Sequence, residues 1–145
     1  MGIIASSQFI LLQFHTGVLS NMMQFLSNYS RMWCQSSACC DDYILADATT
    51  KFPDGTPVDS TIPALWRKVE VVRQVLLLRR TTVVYLDVDA LILSRSWCPA
   101  FETAGQQMGM LIAPDPIPYH APTNTGWFAF SPDRLGWRLA NAWWE

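Results

Sequence analysis

Two aspartates separated by one residue follow a short apolar segment of the chain. Asp87 and Asp89 come directly after the run 83–86 and directly before the apolar run 90–93. Because side chains alternate along extended backbone, we expect the two carboxylates to converge and Val88 to point into the core. Two adjacent carboxylates repel each other. A hard cation, Mn²⁺ or Mg²⁺, would remove that repulsion and keep coordination positions for a diphosphate.

This arrangement suits the displacement of a nucleoside diphosphate from a sugar. Negative charge grows on the leaving group as the bond to the anomeric carbon breaks, and a metal at the carboxylates stabilises that charge as a Lewis acid. An Asp-x-Asp pair also occurs in solvated loops, but apolar flanks make uncompensated exposed acids less favourable here. The pair therefore favours a metal-dependent transferase.

The elements that must position these aspartates follow from hydrophobic periodicity. The pattern predicts strands and helices that alternate: strands over 9–14, 43–48, 81–86, 108–113 and 127–130, and helices over 20–35, 64–79 and 132–145. Such alternation predicts an α/β three-layer sandwich with a mainly parallel central sheet. Ligands of these sheets bind outside the carboxyl ends of the strands, where the aspartates would lie. Turn residues over 49–63 predict a surface loop, and Ser131 is the predicted N-cap of the last helix.

Three segments occur in a particular order along the chain. Trp66-Arg67-Lys68 opens a predicted helix, Val83–Ile92 carries the two aspartates, and Asn124–Phe130 forms a later strand. In this order the segments resemble the nucleotide-diphospho-sugar transferases of GT-A fold, and in pattern the galactosyl- and xylosyltransferase group. The resemblance covers about residues 64–144. It implies a Rossmann-like GT-A fold, formed by residues 1–145 as one domain that is short at its C-terminus.

The resemblance also implies roles for individual residues. Asp87 and Asp89 would hold Mn²⁺ or Mg²⁺, Asp89 the more directly. The implied donor-contacting residues are Lys68, Asp87, Val88, Asn124 and Gly126. The donor would be a nucleoside-diphosphate sugar and the acceptor a glycan or a protein. For Lys68 a solvated helix lysine is the alternative, and for Gly126 a tight backbone position ahead of a strand.

The chain departs from the family pattern in two respects. Such transferases usually complete the metal site with a histidine after the Asn-x-Gly segment, whereas His15 and His120 both precede it. The third ligand is therefore missing or supplied otherwise, and His120 is interpreted as an exposed loop residue. No catalytic residue is assigned, because the carboxylates that could act as a base cannot be ranked: Glu102, Asp115 and Asp133. The last helix ends on Trp143 and Trp144, so we expect a fragment or a pared-down member.

Two alternative functions stay open. A haloacid-dehalogenase-type phosphatase also places Asp-x-Asp after an apolar strand, but both lysines, Lys51 and Lys68, lie upstream of the pair and none follows to hold phosphate. A degenerate domain could instead bind a nucleotide-sugar, or merely a partner, without turnover. The incomplete C-terminus and the missing late histidine favour this second alternative.

Composition limits the partners. Ten basic and twelve acidic residues give a net charge of -2, which argues against nucleic acid. Basic residues do collect over 67–80, where an anion site and a solvated helix face are equally good interpretations. Four cysteines without zinc-knuckle spacing are expected as buried thiols, or as one disulfide in an oxidising lumen. The polar interruptions of the N-terminal apolar run exclude a spanning helix, so membrane association is not evident. The chain as given is expected in the cytoplasm, or in the Golgi lumen if a signal anchor precedes it.

Overall fold

A five-stranded sheet lies between two helical layers in a computed structural model that describes residues 8–47, 64–92, 98–99, 110–114 and 123–144. The elements in chain order are β1 (Phe9–His15), α1 (Asn21–Ser36), β2 (Cys40–Asp47), α2 (Ala64–Arg79), β3 (Thr82–Leu86), β4 (Met110–Pro114), β5 (Thr123–Phe130) and α3 (Arg134–Trp144). The predicted α/β three-layer fold is confirmed. The predicted loop 49–63 lies outside the described residues.

The strand order is β2-β1-β3-β5-β4. β1 pairs in parallel with β2 and with β3, whereas β5 runs antiparallel to both β3 and β4. Four of the five strands therefore share one direction, as expected for a mainly parallel sheet, and β5 is the reversed strand. The chain leaves β1 towards β2 on one side and returns to β3 on the other. The crevice between the carboxyl ends of β1 and β3 is thus the topological switch point, the usual ligand site of such sheets.

The central strands are apolar on both faces because helices cover both. On one face α2 and α3 pack on residues that include Ile10, Leu12, Val83 and Tyr85. On the other face α1 contributes Trp33 to a cluster with neighbouring strand residues. Burial of β1 and β3 on both sides explains why their sequences are continuous apolar runs rather than alternating patterns. No helix in the described part of the chain is long and apolar enough to cross a membrane.

The start of α3 corrects a sequence prediction. The helix begins at Arg134, two residues later than predicted, and its N-cap is Asp133 rather than Ser131. Asp133 Oδ1 accepts from Gly136 N at 2.7 Å and from the Ser131 hydroxyl at 2.9 Å. The Gly136 hydrogen bond lowers the pKa of the Asp133 carboxyl. Aspartate and serine are both favoured at N-cap positions, so residue type alone could not decide between Asp133 and Ser131.

The basic residues of α2 do not share one anion site. Arg73 donates to Asn141 Oδ1 on α3 through Nε at 3.0 Å and a terminal nitrogen at 2.7 Å. Arg79 pairs with Asp42 Oδ2 on β2 at 3.0 Å. These two arginines therefore tie α2 to its neighbours on different sides.

All four cysteines are oxidised, which corrects the expectation of buried thiols. Cys34 is bonded to Cys40, and Cys39 to Cys98. The first bond links the end of α1 to the start of β2. The second ties the start of β2 to the segment that follows the two aspartates. The sequence could not select this pairing, since adjacent Cys39 and Cys40 could each bond either remaining cysteine.

The two disulfides close loops of very different length, with sequence separations of 59 for Cys39–Cys98 and 6 for Cys34–Cys40. Loop-closure entropy predicts that the double variant Cys39→Ser/Cys98→Ser loses about 4 kcal/mol of unfolding free energy, and Cys34→Ser/Cys40→Ser about 2 kcal/mol. Urea unfolding of both variants and the oxidised parent measures the difference. Equal losses, or a larger loss from the short loop, would contradict the pairing.

Candidate functional site

The backbone turns immediately after β3. Asp87 N donates to Gly126 O at 2.7 Å, and Ala90 N donates to Asp87 O at 3.0 Å. Extended backbone therefore ends at Leu86, and Asp87–Ala90 forms a hydrogen-bonded turn. This differs from the extended segment predicted through Asp89. The relative placement of the two carboxylates follows from this turn and not from strand alternation.

The Asp87 carboxylate is held by two side chains of the core. The Tyr85 hydroxyl donates to Asp87 Oδ1 at 2.7 Å, and Lys68 Nζ lies 3.5 Å from the same oxygen. Lys68 Nζ also lies 5.2 Å from the centroid of the Tyr85 ring, within range of a cation–π contact. Lys68 is only 7% exposed. The alternative of a solvated helix lysine is therefore wrong, because a buried ammonium needs the partners found here.

Tyr85 is a fixed hydrogen-bond donor in this cluster. Burial raises the pKa of its phenol well above the usual value, and the negative charges of Asp87 and Asp89 raise it further. A raised tyrosine pKa means that the protonated form is favoured by folding. Its contribution to stability is complete below the unfolded pKa and is lost only as pH rises through the folded pKa. The Tyr85–Asp87 hydrogen bond therefore persists across the neutral range.

The second aspartate is in a different environment. Asp89 is exposed, whereas Val88 is buried at 8% exposure, as predicted. In the described part of the chain no group of three His, Cys, Asp or Glu side chains could enclose a metal ion. Two carboxylates nevertheless fit a cation such as Mg²⁺, which usually binds one or two protein carboxylates and takes its remaining ligands from water and phosphate.

A buried glutamine connects β1 and β2 to the aspartate turn. Gln13 on β1 is fully buried, and its Nε2 donates to Asp87 O at 3.1 Å. Its Oε1 accepts from the Tyr43 hydroxyl of β2 at 2.8 Å. Burial raises the Tyr43 pKa from 10.0 to about 12, against the opposing effects of Arg31 and Ser27. This hydrogen bond therefore contributes fully below about pH 10 and is lost as pH rises towards 12.

Gln13 was not predicted as a site residue, because it lies in an apolar run and far from the aspartates in sequence. Its polar side chain at a central-strand position was the available signal. Such a side chain must find buried partners. The pairing of β1 with β3 brings the Asp87 carbonyl within reach of Gln13, and the pairing of β1 with β2 brings Tyr43.

His15 lies at this same edge. It ends β1, with Nε2 at 3.9 Å from Asp47 Oδ2 at the end of β2 and Nδ1 donating to Gly17 O at 3.0 Å. Gly17 has a φ of +69°, a left-handed conformation that glycine adopts without strain. His15 was not predicted at the site, because it precedes the Asn-x-Gly segment. Parallel pairing places it at the edge of the sheet that carries Asp87.

The other predicted residues are placed differently. The Gly126 carbonyl accepts a hydrogen bond from the Asp87 backbone N–H, so Gly126 shapes the turn through its backbone. Asn124 is on β5 opposite Ala113, and its side chain lies outside the described part of the structure. His120, Glu102 and Asp115 also lie outside the described residues. Asp133, the third unranked carboxylate, caps α3 instead.

Comparison with known proteins supports the fold. No protein-family model and no curated protein matches the chain. Among solved structures, the chain is similar to a glycosyltransferase involved in the glycosylation of the major capsid of PBCV-1, with a TM-score of 0.63 and 13% sequence identity. The similarity covers 94% of this chain and 65% of that one. The chain therefore shares the α/β fold of that protein and spans less than two thirds of its length, 65%.

The Tyr43–Gln13–Asp87 connection predicts coupled stability effects. Gln13→Leu should cost about 1–3 kcal/mol, because it deprives both the Tyr43 hydroxyl and the Asp87 carbonyl of a partner. Tyr43→Phe removes only one hydrogen bond and should cost less. The double variant should lose less than the sum of the single variants, as measured by urea unfolding. Strict additivity would show that the two side chains do not interact.

Proposed function

We propose that this chain binds a nucleoside-diphosphate sugar together with Mn²⁺ or Mg²⁺ and transfers the sugar to an acceptor hydroxyl of a glycan or protein. The observation that carries the proposal is the position of Asp87 and Asp89 directly after β3, at the switch point of the sheet. Ligands of open α/β sheets bind there. The likeness of the fold to a glycosyltransferase supports the same conclusion.

The two carboxylates have unequal roles in this proposal. Asp87 Oδ1 already accepts from Tyr85 and pairs with Lys68, so its remaining oxygen is oriented before any ligand binds. Asp89 is exposed and would be the principal ligand of the cation. When bound, the cation would supply Lewis-acid stabilisation of the departing diphosphate. A fixed carboxylate reduces the reorganisation needed on binding.

Lys68 has two uses in the same site. Its ammonium balances the charge of Asp87 at 3.5 Å, which limits the repulsion between the two aspartates. A donor diphosphate placed at the aspartate turn would be attracted by the same positive charge. We therefore assign Lys68 to donor binding, together with the backbone of the turn at Val88 and Gly126 and the β5 residue Asn124.

Nucleotide-sugar binding without turnover is the second candidate. Lys68 compensates Asp87 without a metal, and the described residues contain no three-ligand metal group. Incubation with several nucleoside-diphosphate sugars and Mn²⁺ distinguishes the candidates. Binding with slow sugar release supports the transferase, and binding without release supports the non-catalytic domain. Phosphate release from a phosphomonoester would support the phosphatase instead.

The disulfides bear on where this activity would take place. Two of them hold the segments around α1 and the region after the aspartate turn. Disulfides persist in oxidising compartments and are rare in the cytosol. Of the two locations expected from the sequence, we therefore propose the oxidising lumen.

Asp89→Asn tests the metal site. The substitution removes the exposed carboxylate but keeps its shape, so Mn²⁺-dependent binding of a nucleoside diphosphate should weaken at least about tenfold in isothermal titration. Asp41→Asn is the matched control, because Asp41 is also exposed but lies at the start of β2, at the opposite edge of the sheet. Unchanged affinity in the Asp89 variant, with an intact fold, would exclude the assignment.

Lys68→Met tests the donor contact while keeping an unbranched side chain in the buried position. Loss of a charged hydrogen bond of about 1.5–3 kcal/mol should weaken nucleoside-diphosphate binding by roughly 10–100-fold. Mn²⁺ binding in the absence of nucleotide should change much less. Arg138→Met, on the exposed side of α3, is the control. Equal losses for metal and nucleotide would remove Lys68 from the donor pocket, and circular dichroism verifies the fold.

A further inference from the structure

The outward side of α1 carries an apolar stripe beside its exposed polar residues, which departs from the usual pattern of a surface helix. Met22, Phe25, Tyr29 and Met32 are 71%, 68%, 37% and 64% exposed. Their spacing of three, four and three residues places them within one narrow stripe along the helix. Val18, which is 97% exposed, precedes the helix and adds apolar surface next to its N-terminus.

The inward side of α1 explains why the large apolar residues face out. Two of the four buried α1 residues are the small polar residues Ser27 and Ser30, with Trp33 and Cys34 completing the set. Ser27 Oγ donates to the Gln24 carbonyl of its own helix at 3.1 Å. Small side chains allow α1 to lie close to the sheet. Most of the stripe is left exposed, Tyr29 least, although soluble surface helices normally carry polar residues on the outward side.

We propose that this stripe is the interface with a second copy of the same chain, formed by antiparallel packing of two α1 helices around a two-fold axis. Such an interface pairs a surface with itself. When the two-fold axis crosses the stripe at the level of Ser27 along the helix, Met22 of one copy faces Met32 of the other, and Phe25 faces Tyr29. Methionine and aromatic residues are the types enriched at protein interfaces.

The exposed apolar area, when fully covered, reaches the lower bound for a specific dimer. With about 150–200 Å² for a side chain of this size, the five exposed fractions leave on the order of 600 Å² per copy. A pair would bury about 1,200 Å², the lower bound of stable specific interfaces. Both copies contribute equally because the interface is isologous.

Charge favours the antiparallel over the parallel orientation of the two helices. Arg31 is the only charged residue of α1 and is hydrogen-bonded to Asn28 Oδ1 at 3.2 Å. Parallel helices would place the two Arg31 side chains at the same level. Antiparallel helices separate them by eight residues, about 12 Å along the axis. A single cation also argues against a membrane surface, because interfacial helices carry several basic residues on their polar face.

Analytical ultracentrifugation of the oxidised 145-residue chain tests the interface. The parent should show a concentration-dependent dimer, and Phe25→Glu should raise its dissociation constant at least about tenfold, as expected for a central aromatic contact. Leu135→Glu is the matched control, since Leu135 is 47% exposed but lies on α3, across the sheet. A parent that remains monomeric at the highest concentration would overturn the proposal, as would equal effects of both variants.

Photo-crosslinking identifies the occupant directly. A benzophenone amino acid at position 25, in a mixture of isotopically heavy and light chains, should give heavy–light crosslinks near Tyr29. Crosslinks confined to one chain would mean that the stripe is covered from within and would overturn the proposal. Cosedimentation of the monomer with phosphatidylcholine vesicles, lost on Phe25→Glu, would also overturn it in favour of a lipid surface.

Discussion

The carboxylate of Asp87 is the point on which the site depends. A carboxylate at the end of a buried strand costs free energy unless its charge and lone pairs are satisfied. Here the buried ammonium of Lys68 and the phenol of Tyr85 meet one oxygen, while the backbone of the same residue is fixed by Gly126 and Gln13. Side chain and main chain are held by α2, β1, β3 and β5 together. The aspartate turn is therefore positioned by the core and not by a flexible loop.

The topology of the sheet places polar residues at its carboxyl edge, around the aspartate turn. The chain connects β1 to β2 on one side and to β3 on the other, so a crevice opens between the carboxyl ends of β1 and β3. Parallel pairing of β1 with β2 and β3 brings His15, Asp47 and Asp87 to that edge. Because helices cover both faces of the sheet, the central strands carry mostly apolar residues. Few polar residues therefore lie at the carboxyl edge in the described part of the chain. The Cys39–Cys98 bond fixes the chain beyond the turn to the start of β2. Contacts from several elements of the core therefore meet at Asp87, and Asp89 follows in the same turn.

Much of this fold was readable from sequence because apolar periodicity is local. The runs that form β1 and β3 and the stripe that forms α2 were all identified within a few residues of their bounds. What could not be read depended on distant partners. The burial of Lys68 requires Tyr85 and Asp87, and the antiparallel direction of β5 depends on its pairing with β3 and β4. The outward apolar stripe of α1 was visible as helical spacing, but its direction depends on which side the sheet covers.

The central claim is that Asp87 and Asp89 share one hard cation with a diphosphate. Anomalous diffraction at the manganese edge, from crystals grown with Mn²⁺ and a nucleoside diphosphate, tests this most directly. We predict one strong peak within about 2.0–2.4 Å of an oxygen of Asp89 and of a diphosphate oxygen, the range of hard-cation ligands, with Asp87 beside it. A peak elsewhere, or nucleotide density at the turn with no anomalous signal and Lys68 alone against the phosphates, would contradict the claim.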